Sequence, residues 1–285
     1  MKKTKLYIIL SCLLLMTALG LVAYPLISNY TAEKCASTIR TEYYSAVAEL
    51  ADADIESGKE AARKYNEMLA QGVTKAFTDE QINSANMEYL SLLNLTGDGV
   101  MAYVEIPKLG IYLPVSHGTE AETLESGVGH VIGSSLPIGG DTAHAVLSGH
   151  SGLASQKMFS DLTLLEVGDD FYIHVLNEVL AYQVEAINTV LPSDTSLLRI
   201  ERGRDLVTLV TCTPLGVNTH RLLVRGSRVP YVPPEERTEA NALPIPSSSV
   251  WAEEYLSGVL VGLLALSICA AGYAGYLLYR RRRYG

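Results

Sequence analysis

The segment Thr208-Leu209-Val210-Thr211-Cys212-Thr213-Pro214 places a cysteine at the end of a β-rich run, where Pro214 helps to stop strand pairing and open a loop. A thiol held there by a rigid element can still face a cleft, which suits a nucleophile. To attack a carbonyl it needs a base or a cation that favours thiolate. His150 is the candidate partner, because Leu147-Ser148-Gly149-His150-Ser151-Gly152 puts an imidazole at a strand end between glycines, with room for a substrate backbone. His117 and His130 sit in Gly-bearing loops, His144 beside a strand start and His174 in an alternating strand, so surface or packing roles explain them. Beyond Cys212 the loop Leu215 to Thr219 leads into His220-Arg221-Leu222-Leu223-Val224-Arg225, which reads as a return strand. Arg221 then starts that strand near the thiol, as a fixed donor for a substrate carbonyl or tetrahedral oxyanion.

These residues need a scaffold, and the apolar residues of the 285-residue chain are unevenly spread. Overall 48% of residues are hydrophobic and 19% charged, which is too apolar for a disordered chain. Leu6 to Ile27 carries no Asp, Glu, Lys or Arg, and its 22 residues follow Lys2, Lys3 and Lys5. Helical, that run reaches roughly 33 Å, enough to cross a bilayer core of about 30 Å. Leu256 to Tyr279 is a second uncharged run, of 24 residues, followed by Arg280 to Arg283. Both basic flanks lie on the terminal side, so the positive-inside rule predicts cytoplasmic ends and an exported middle. A cleavable signal peptide, cut near Leu21-Val22-Ala23, is the alternative for the first run, and it also exports the middle.

Setting aside those seven flanking cations leaves 15 Lys and Arg against 31 Asp and Glu, a balance that excludes a nucleic-acid partner. Of four cysteines, Cys12 and Cys269 fall inside the apolar runs, leaving only Cys35 and Cys212 in the exported part. That is no disulfide framework, and no CxxC or Cys/His spacing predicts a metal site or a cofactor.

Within the exported part, Ile39, Tyr43, Val47 and Leu50, then Ala62, Tyr65 and Leu69, predict a helical arm over about 31–70, interrupted at Ser57-Gly58. From Val100 the texture changes. Val100–Ile106, Ile111–Val115, Ala143–Ser148, Asp170–Val175, Leu180–Val190, Leu206–Thr211 and His220–Arg228 read as seven short strands of a compact barrel or sandwich, with a short helix after Met158-Phe159. Pro230, Pro233, Pro234, Pro244 and Pro246 with Ser247 to Ser249 form a stiff tether to the second apolar run.

The run Thr208-Leu209-Val210-Thr211-Cys212 resembles the TLxTC signature of sortases, and the continuation through Gly216-Val217-Asn218-Thr219-His220-Arg221-Leu222-Leu223-Val224-Arg225-Gly226 resembles their class C, pilus-assembling branch. Ser148-Gly149-His150 matches the histidine site, and Ile106-Pro107 and Gly127-Val128-Gly129-His130 match flanking patterns, so that the likeness covers about Tyr89 to Tyr231. The resemblance implies a mainly β chain: a sortase-type closed β-barrel with an N-terminal helical arm, flanked by two transmembrane helices. It divides the chain into an N-terminal membrane segment at 1–28, an extracellular helical arm and lid-like loop at 29–98, the catalytic barrel at 99–230, a tether at 231–254 and a C-terminal membrane helix with basic tail at 255–285. It further implies Cys212 as nucleophile, His150 as proton partner, Arg221 as oxyanion and substrate-positioning group, and Thr211 as an auxiliary that shapes the site. The reaction implied is cleavage of an LPxTG-like sorting signal at Thr-Gly through a Cys212 thioester. A lysine amine of a pilin subunit resolves it, and no cofactor or metal takes part.

Two positions depart from the family pattern. Where many class C sortases carry an Asp-Pro-aromatic lid, this chain reads Lys75-Ala76-Phe77-Thr78-Asp79. Phe77 remains a possible cover for the thiol, whereas Lys75 cannot pair with Arg221. Ser151 stands where relatives often have Arg, which bears on substrate contacts and leaves the Cys-His pair intact. Three other readings compete: a sortase that uses a peptidoglycan amine to attach surface proteins to the cell wall, a papain-like protease with Asn218 as orienting residue, and a non-enzymatic wall-anchored surface protein. The papain order is reversed here, since His150 precedes Cys212 and the cysteine ends a strand instead of heading a helix. The wall-anchored reading needs a Thr-Gly pair, and Leu243-Pro244-Ile245-Pro246-Ser247 lacks one.

Overall fold

A computed structural model describes residues 2–72, 87–94, 97–233 and 249–284. The chain forms two units, Ile27–Ser247 and a smaller one made of Met1–Leu26 with Ser248–Gly285. In the larger unit eight strands close into a barrel: β1 (Val100–Ile106), β2 (Ile111–His117), β3 (Val128–His130), β4 (Ala143–Ser148), β5 (Asp170–Val175), β6 (Glu178–Val190), β7 (Asp205–Thr213) and β8 (His220–Val229). Their order around the barrel is β1-β2-β3-β4-β7-β8-β6-β5. The β2–β3 and β4–β7 pairs are parallel and the remaining pairs antiparallel. That order brings the C-terminal ends of β4 and β7 and the N-terminal end of β8 to one end of the barrel.

Seven of the strands fall on the β-rich runs, set off by Gly, Pro and Asp, that predicted them. The eighth, β3, is three residues long and pairs in parallel with β2, too short to leave a period in the sequence. The barrel interior is filled by Val104, Ile106, Leu147, Phe171, Ile173, Val207, Leu209 and Val224, all buried. A single 3₁₀ turn, Ser160–Leu164, occupies the place of the short helix expected after Phe159.

Two helices precede the barrel, α1 (Lys2–Glu49) and α2 (Asp52–Ala70). The expected break at Ser57-Gly58 is not there: α2 runs through it, and the chain turns instead at Ala51, which is extended at φ −69° and ψ 144°. Asp52 and Asp54 in the first turn complement the helix dipole. A glycine inside a helix costs about 1 kcal/mol, which the buried face of Ile55, Lys59, Ala62 and Asn66 outweighs. Side chains from both helices are bonded into the barrel. Tyr43, fully buried, donates its hydroxyl to Met101 O at 3.2 Å and accepts the Leu176 N–H at 2.9 Å. Lys59 Nζ reaches Asn177 Oδ1 at 2.7 Å and Glu178 Oε1 at 2.6 Å, while Asn66 exchanges two bonds with the backbone of Leu136. A short α3 (Ala121–Ser126) leads into β3.

In the smaller unit, α4 (Val250–Tyr284) starts inside the stretch expected to be tether. Among the described residues one segment, Val250–Ile268 of α4, is long and apolar enough to cross a membrane.

His117, His130 and His144 are buried packing residues, though His117 and His130 end β2 and β3 instead of lying in loops, and His174 pairs with Glu105. His130 is wholly buried, with Nδ1 taking the Tyr89 hydroxyl at 2.8 Å and Nε2 donating to Ser135 O at 2.8 Å. Burial holds its pKa down at about 4. The unfolded chain takes up a proton on this imidazole near pH 6.5 and the folded chain only near pH 4, so stability falls as pH drops through that window, by about 3 kcal/mol at most. Urea midpoints measured at pH 7 and pH 4.5 should therefore fall further for the wild type than for His130→Gln. Equal falls would assign the acid sensitivity to carboxylates alone.

Candidate active site

The cysteine's surroundings follow from strand register. Cys212 is the penultimate residue of β7 and lies opposite Arg221 of β8, one pair beyond Thr211↔Leu222. Successive strand residues direct their N–H and C=O to opposite neighbours. The Val210 carbonyl accepts the Gly149 N–H at 3.0 Å, so Val210 turns its backbone toward β4, and Cys212, two residues on, does the same: its carbonyl accepts Ser151 Oγ–H at 2.6 Å. Cys212 and Arg221 are thus a non-hydrogen-bonded antiparallel pair, the kind in which side chains stand closest, with Cβ atoms about 4.5–5.5 Å apart.

The same alternation chooses the face. Val207 and Leu209 point into the barrel core, while Val210 belongs to a separate outer cluster with Val146 and Leu223, flanked by Val131, Val190, Leu197 and Leu198. Cys212 is in phase with Val210, and Arg221 with Leu223, so thiol and guanidinium continue this apolar outer strip. Ser148 of β4 pairs with Val210, and His150 follows two residues later, just past the strand end. Cys212 is a free thiol and only partly exposed. Arg221 directs Nη1 at its own loop, toward Asn218 O at 3.3 Å and His220 O at 3.1 Å. A guanidinium has five N–H donors in a rigid fork, so these two carbonyls leave part of it for a bound group.

The histidine loop is pinned to β7 and to its own return segment. Gly149 O accepts the hydroxyl of the buried Thr211 at 2.8 Å, His150 O accepts the Phe159 N–H at 2.9 Å, and Gly152 donates its N–H to Ser160 Oγ at 3.0 Å. Gly149 is glycine for a steric reason: a Cβ there would lie 2.7 Å from Cδ2 of the fully buried Phe159 ring. Further along this loop Lys157 ion-pairs with buried Asp161 at 2.9 Å and donates to Leu109 O at 2.6 Å, and its N–H donates to Asn29 Oδ1 of α1 at 2.8 Å.

The structure thus brings together Cys212, His150, Arg221 and Thr211, from three elements, at one end of the barrel. Phe77, the expected lid residue, and its neighbours Lys75 to Asp79 lie outside the described residues. Sequence reasoning missed the outer apolar cluster, which depends on strands far apart in the chain, and it singled out Ser151 for substrate contacts without foreseeing its bond to the Cys212 carbonyl. Among the described residues no group of three or more His, Cys, Asp or Glu could hold a metal ion.

A closed eight-stranded barrel that sets a cysteine beside an arginine at the end of neighbouring strands defines the sortase class, and comparison with known proteins agrees. The Sortase domain family matches residues 104–229. Sortase D of Bacillus subtilis (strain 168) is 32% identical over 178 residues, covering 61% of this chain and 82% of that protein. The crystal structure of sortase C1 from Streptococcus agalactiae superposes with a TM-score of 0.63 at 44% identity, over 67% of this chain and 98% of the other. Sortase C of Clostridium perfringens, solved with the C-terminal cell wall sorting motif, gives 0.60 at 38% identity, over 69% and 100%. The chain belongs to the sortase family. Within it, the structural neighbours mark it as a class C sortase, and thus as a cysteine transpeptidase.

Gly149→Ala should force Phe159 or the histidine loop to move, lowering stability by about 1–3 kcal/mol in urea unfolding. An unchanged midpoint would show that the ring yields freely and that Gly149 has no such role.

Proposed function

We propose that this sortase polymerises pilin subunits. Cys212 attacks the Thr carbonyl of an LPxTG-like sorting signal, and a lysine amine of the next pilin takes the acyl group. The observation that carries the residue roles is the close Cys212–Arg221 pair, with the His150 loop bonded to the Cys212 carbonyl.

In this reading the Cys212–His150 pair holds one proton. Sγ adds to the carbonyl carbon and the negative charge gathers on the carbonyl oxygen, where the Arg221 fork donates to it. The C–N bond then breaks as His150 gives its proton to the departing glycine amine, and a thioester remains on Sγ. A lysine amine adds to the thioester, its proton passes to His150, the C–S bond breaks, and the isopeptide leaves with the Cys-His pair restored. Thr211 contributes by fixing Gly149. The partly exposed Val131, Val190, Leu197 and Leu198, packed over the buried Val146, Val210 and Leu223, give this face of the barrel an apolar surface suited to the Leu and Pro of the signal.

The pilin acceptor is favoured by the likeness to class C sortases. The reading also includes two membrane spans, Leu6–Ile27 within α1 and Leu256–Tyr279 within α4, both chain ends cytoplasmic and the barrel outside, with the segment boundaries 1–28, 29–98, 99–230, 231–254 and 255–285. It rests on their length, their lack of charge and their basic flanks. Phe77 would serve as a cover for the thiol.

The full chain in detergent, incubated with an LPxTG-like peptide and a lysine-bearing pilin domain, should show by intact mass a thioester on Cys212 and an isopeptide product. Resolution by peptidoglycan amines alone would make it a wall-attaching sortase, and resolution by water alone a protease. Cys212→Ala should abolish the thioester while Cys35→Ala keeps it. Arg221→Lys should lower kcat/KM by about 10²–10³, because an ammonium cannot reproduce the fork. Near-normal turnover in that variant would remove Arg221 from the oxyanion role.

A further inference from the structure

Beyond Val210, β4 and β7 separate. In a parallel ladder the bond after Gly149 N–H to Val210 O would run from the Cys212 N–H to Gly149 O, and the next from the Ser151 N–H to Cys212 O. Neither backbone bond forms; two hydroxyls take their acceptors instead. Thr211 Oγ1 donates to Gly149 O at 2.8 Å, and Ser151 Oγ donates to Cys212 O at 2.6 Å. Side chains thus extend the sheet across a gap that the backbone cannot close, and the gap is where the histidine and the cysteine must meet.

The two ties are not equivalent. The Thr211 bond ends on Gly149, before the histidine. The bonds of His150 O to Phe159 N and of Gly152 N to Ser160 Oγ hold the loop to its own return segment and do not reach β7. Ser151 alone links the residue after His150 to the Cys212 residue itself. The residue is 6% exposed, and 2.6 Å is at the short end for O–H···O, so the bond is shielded from competing water.

We infer that Ser151 is a positioning residue for acyl transfer: its hydroxyl bond to the Cys212 carbonyl fixes the separation of the His150 imidazole from the thiol. The inference rests on the Cys212–His150 pairing put forward above. A loop freed of this tie can still fold through its other bonds, but the imidazole no longer keeps one distance from Sγ. Misplacement by a fraction of an ångström slows proton transfer without weakening the hold on the peptide.

The test is single-turnover thioester formation by the full chain with an LPxTG-like peptide, measured from pH 5.5 to 9 by intact mass, for wild type, Ser151→Ala and Ser151→Thr. The pH profile of Cys212 alkylation by iodoacetamide is measured alongside. Ser151→Ala should lower kcat for acylation about tenfold with KM unchanged and should alter the alkylation profile, while Ser151→Thr, which keeps the hydroxyl, restores both. If Ser151→Ala changes only the unfolding midpoint and leaves both profiles as in the wild type, Ser151 is a structural residue and the inference falls. If Ser151→Ala fails to fold, Ser151→Thr decides: normal profiles support the hydroxyl's role, and a loss equal to that of His150→Ala overturns it. Absence of a thioester on wild-type Cys212 would overturn the functional reading itself, a result separable from any effect at Ser151.

Discussion

Everything at the active end of this molecule depends on one constraint, the alternation of backbone bonds along β7. That strand is shared between a parallel neighbour, β4, and an antiparallel one, β8. Because Val210 and Cys212 spend their backbone groups on the β4 side, Cys212 has no ladder bond to Arg221, and their side chains stand together. A slip of one residue in either pairing would turn the thiol into the barrel core and put Thr211 or Thr213 in its place. The close register is defended by Val207 and Leu209, whose burial inside the barrel fixes which residues face in.

The helical arm belongs to the same construction. A barrel of short strands buries little surface at its rim, and Tyr43 and Asn66 use polar side chains to satisfy rim backbone groups that no strand partner reaches, while Lys59 ties the side chains of Asn177 and Glu178. Such bonds specify where the arm sits more than they add to stability, since each contributes about 1 kcal/mol net and leaving its partner bare costs more. Buried His130 shows the same economy: neutral, with both ring nitrogens partnered.

Much of this was legible in the sequence. Strands such as Ala143–Ser148 and His220–Val229 announce themselves as short apolar runs bounded by turn residues, the mark of strands largely buried by neighbours on both sides. The pairing of Cys212 with Arg221 could be anticipated because a short loop connects their strands and forces a hairpin. What could not be read was anything set by long-range register. Ser151 and Cys212 lie 61 positions apart, and no local pattern states that one hydroxyl will meet the other's carbonyl. The break between α1 and α2 was misplaced because a glycine was weighed by its propensity alone, whereas packing of Ile55 and Ala62 against the barrel decided the matter. The three residues of β3 are held by neighbours on both sides rather than by their own preferences.

Closure of the barrel also governs how a peptide can be read. Among the described residues every strand has a partner on each side, so an extended peptide finds no free edge on which to lay itself as a ninth strand. At the fork where β4 and β7 part, the carbonyls of Gly149 and Cys212, left without ladder partners, are already taken by hydroxyls. Main-chain pairing, which is indifferent to sequence, is therefore denied. Selection of a peptide then falls to contacts between side chains, which carry the sequence information that backbone pairing lacks.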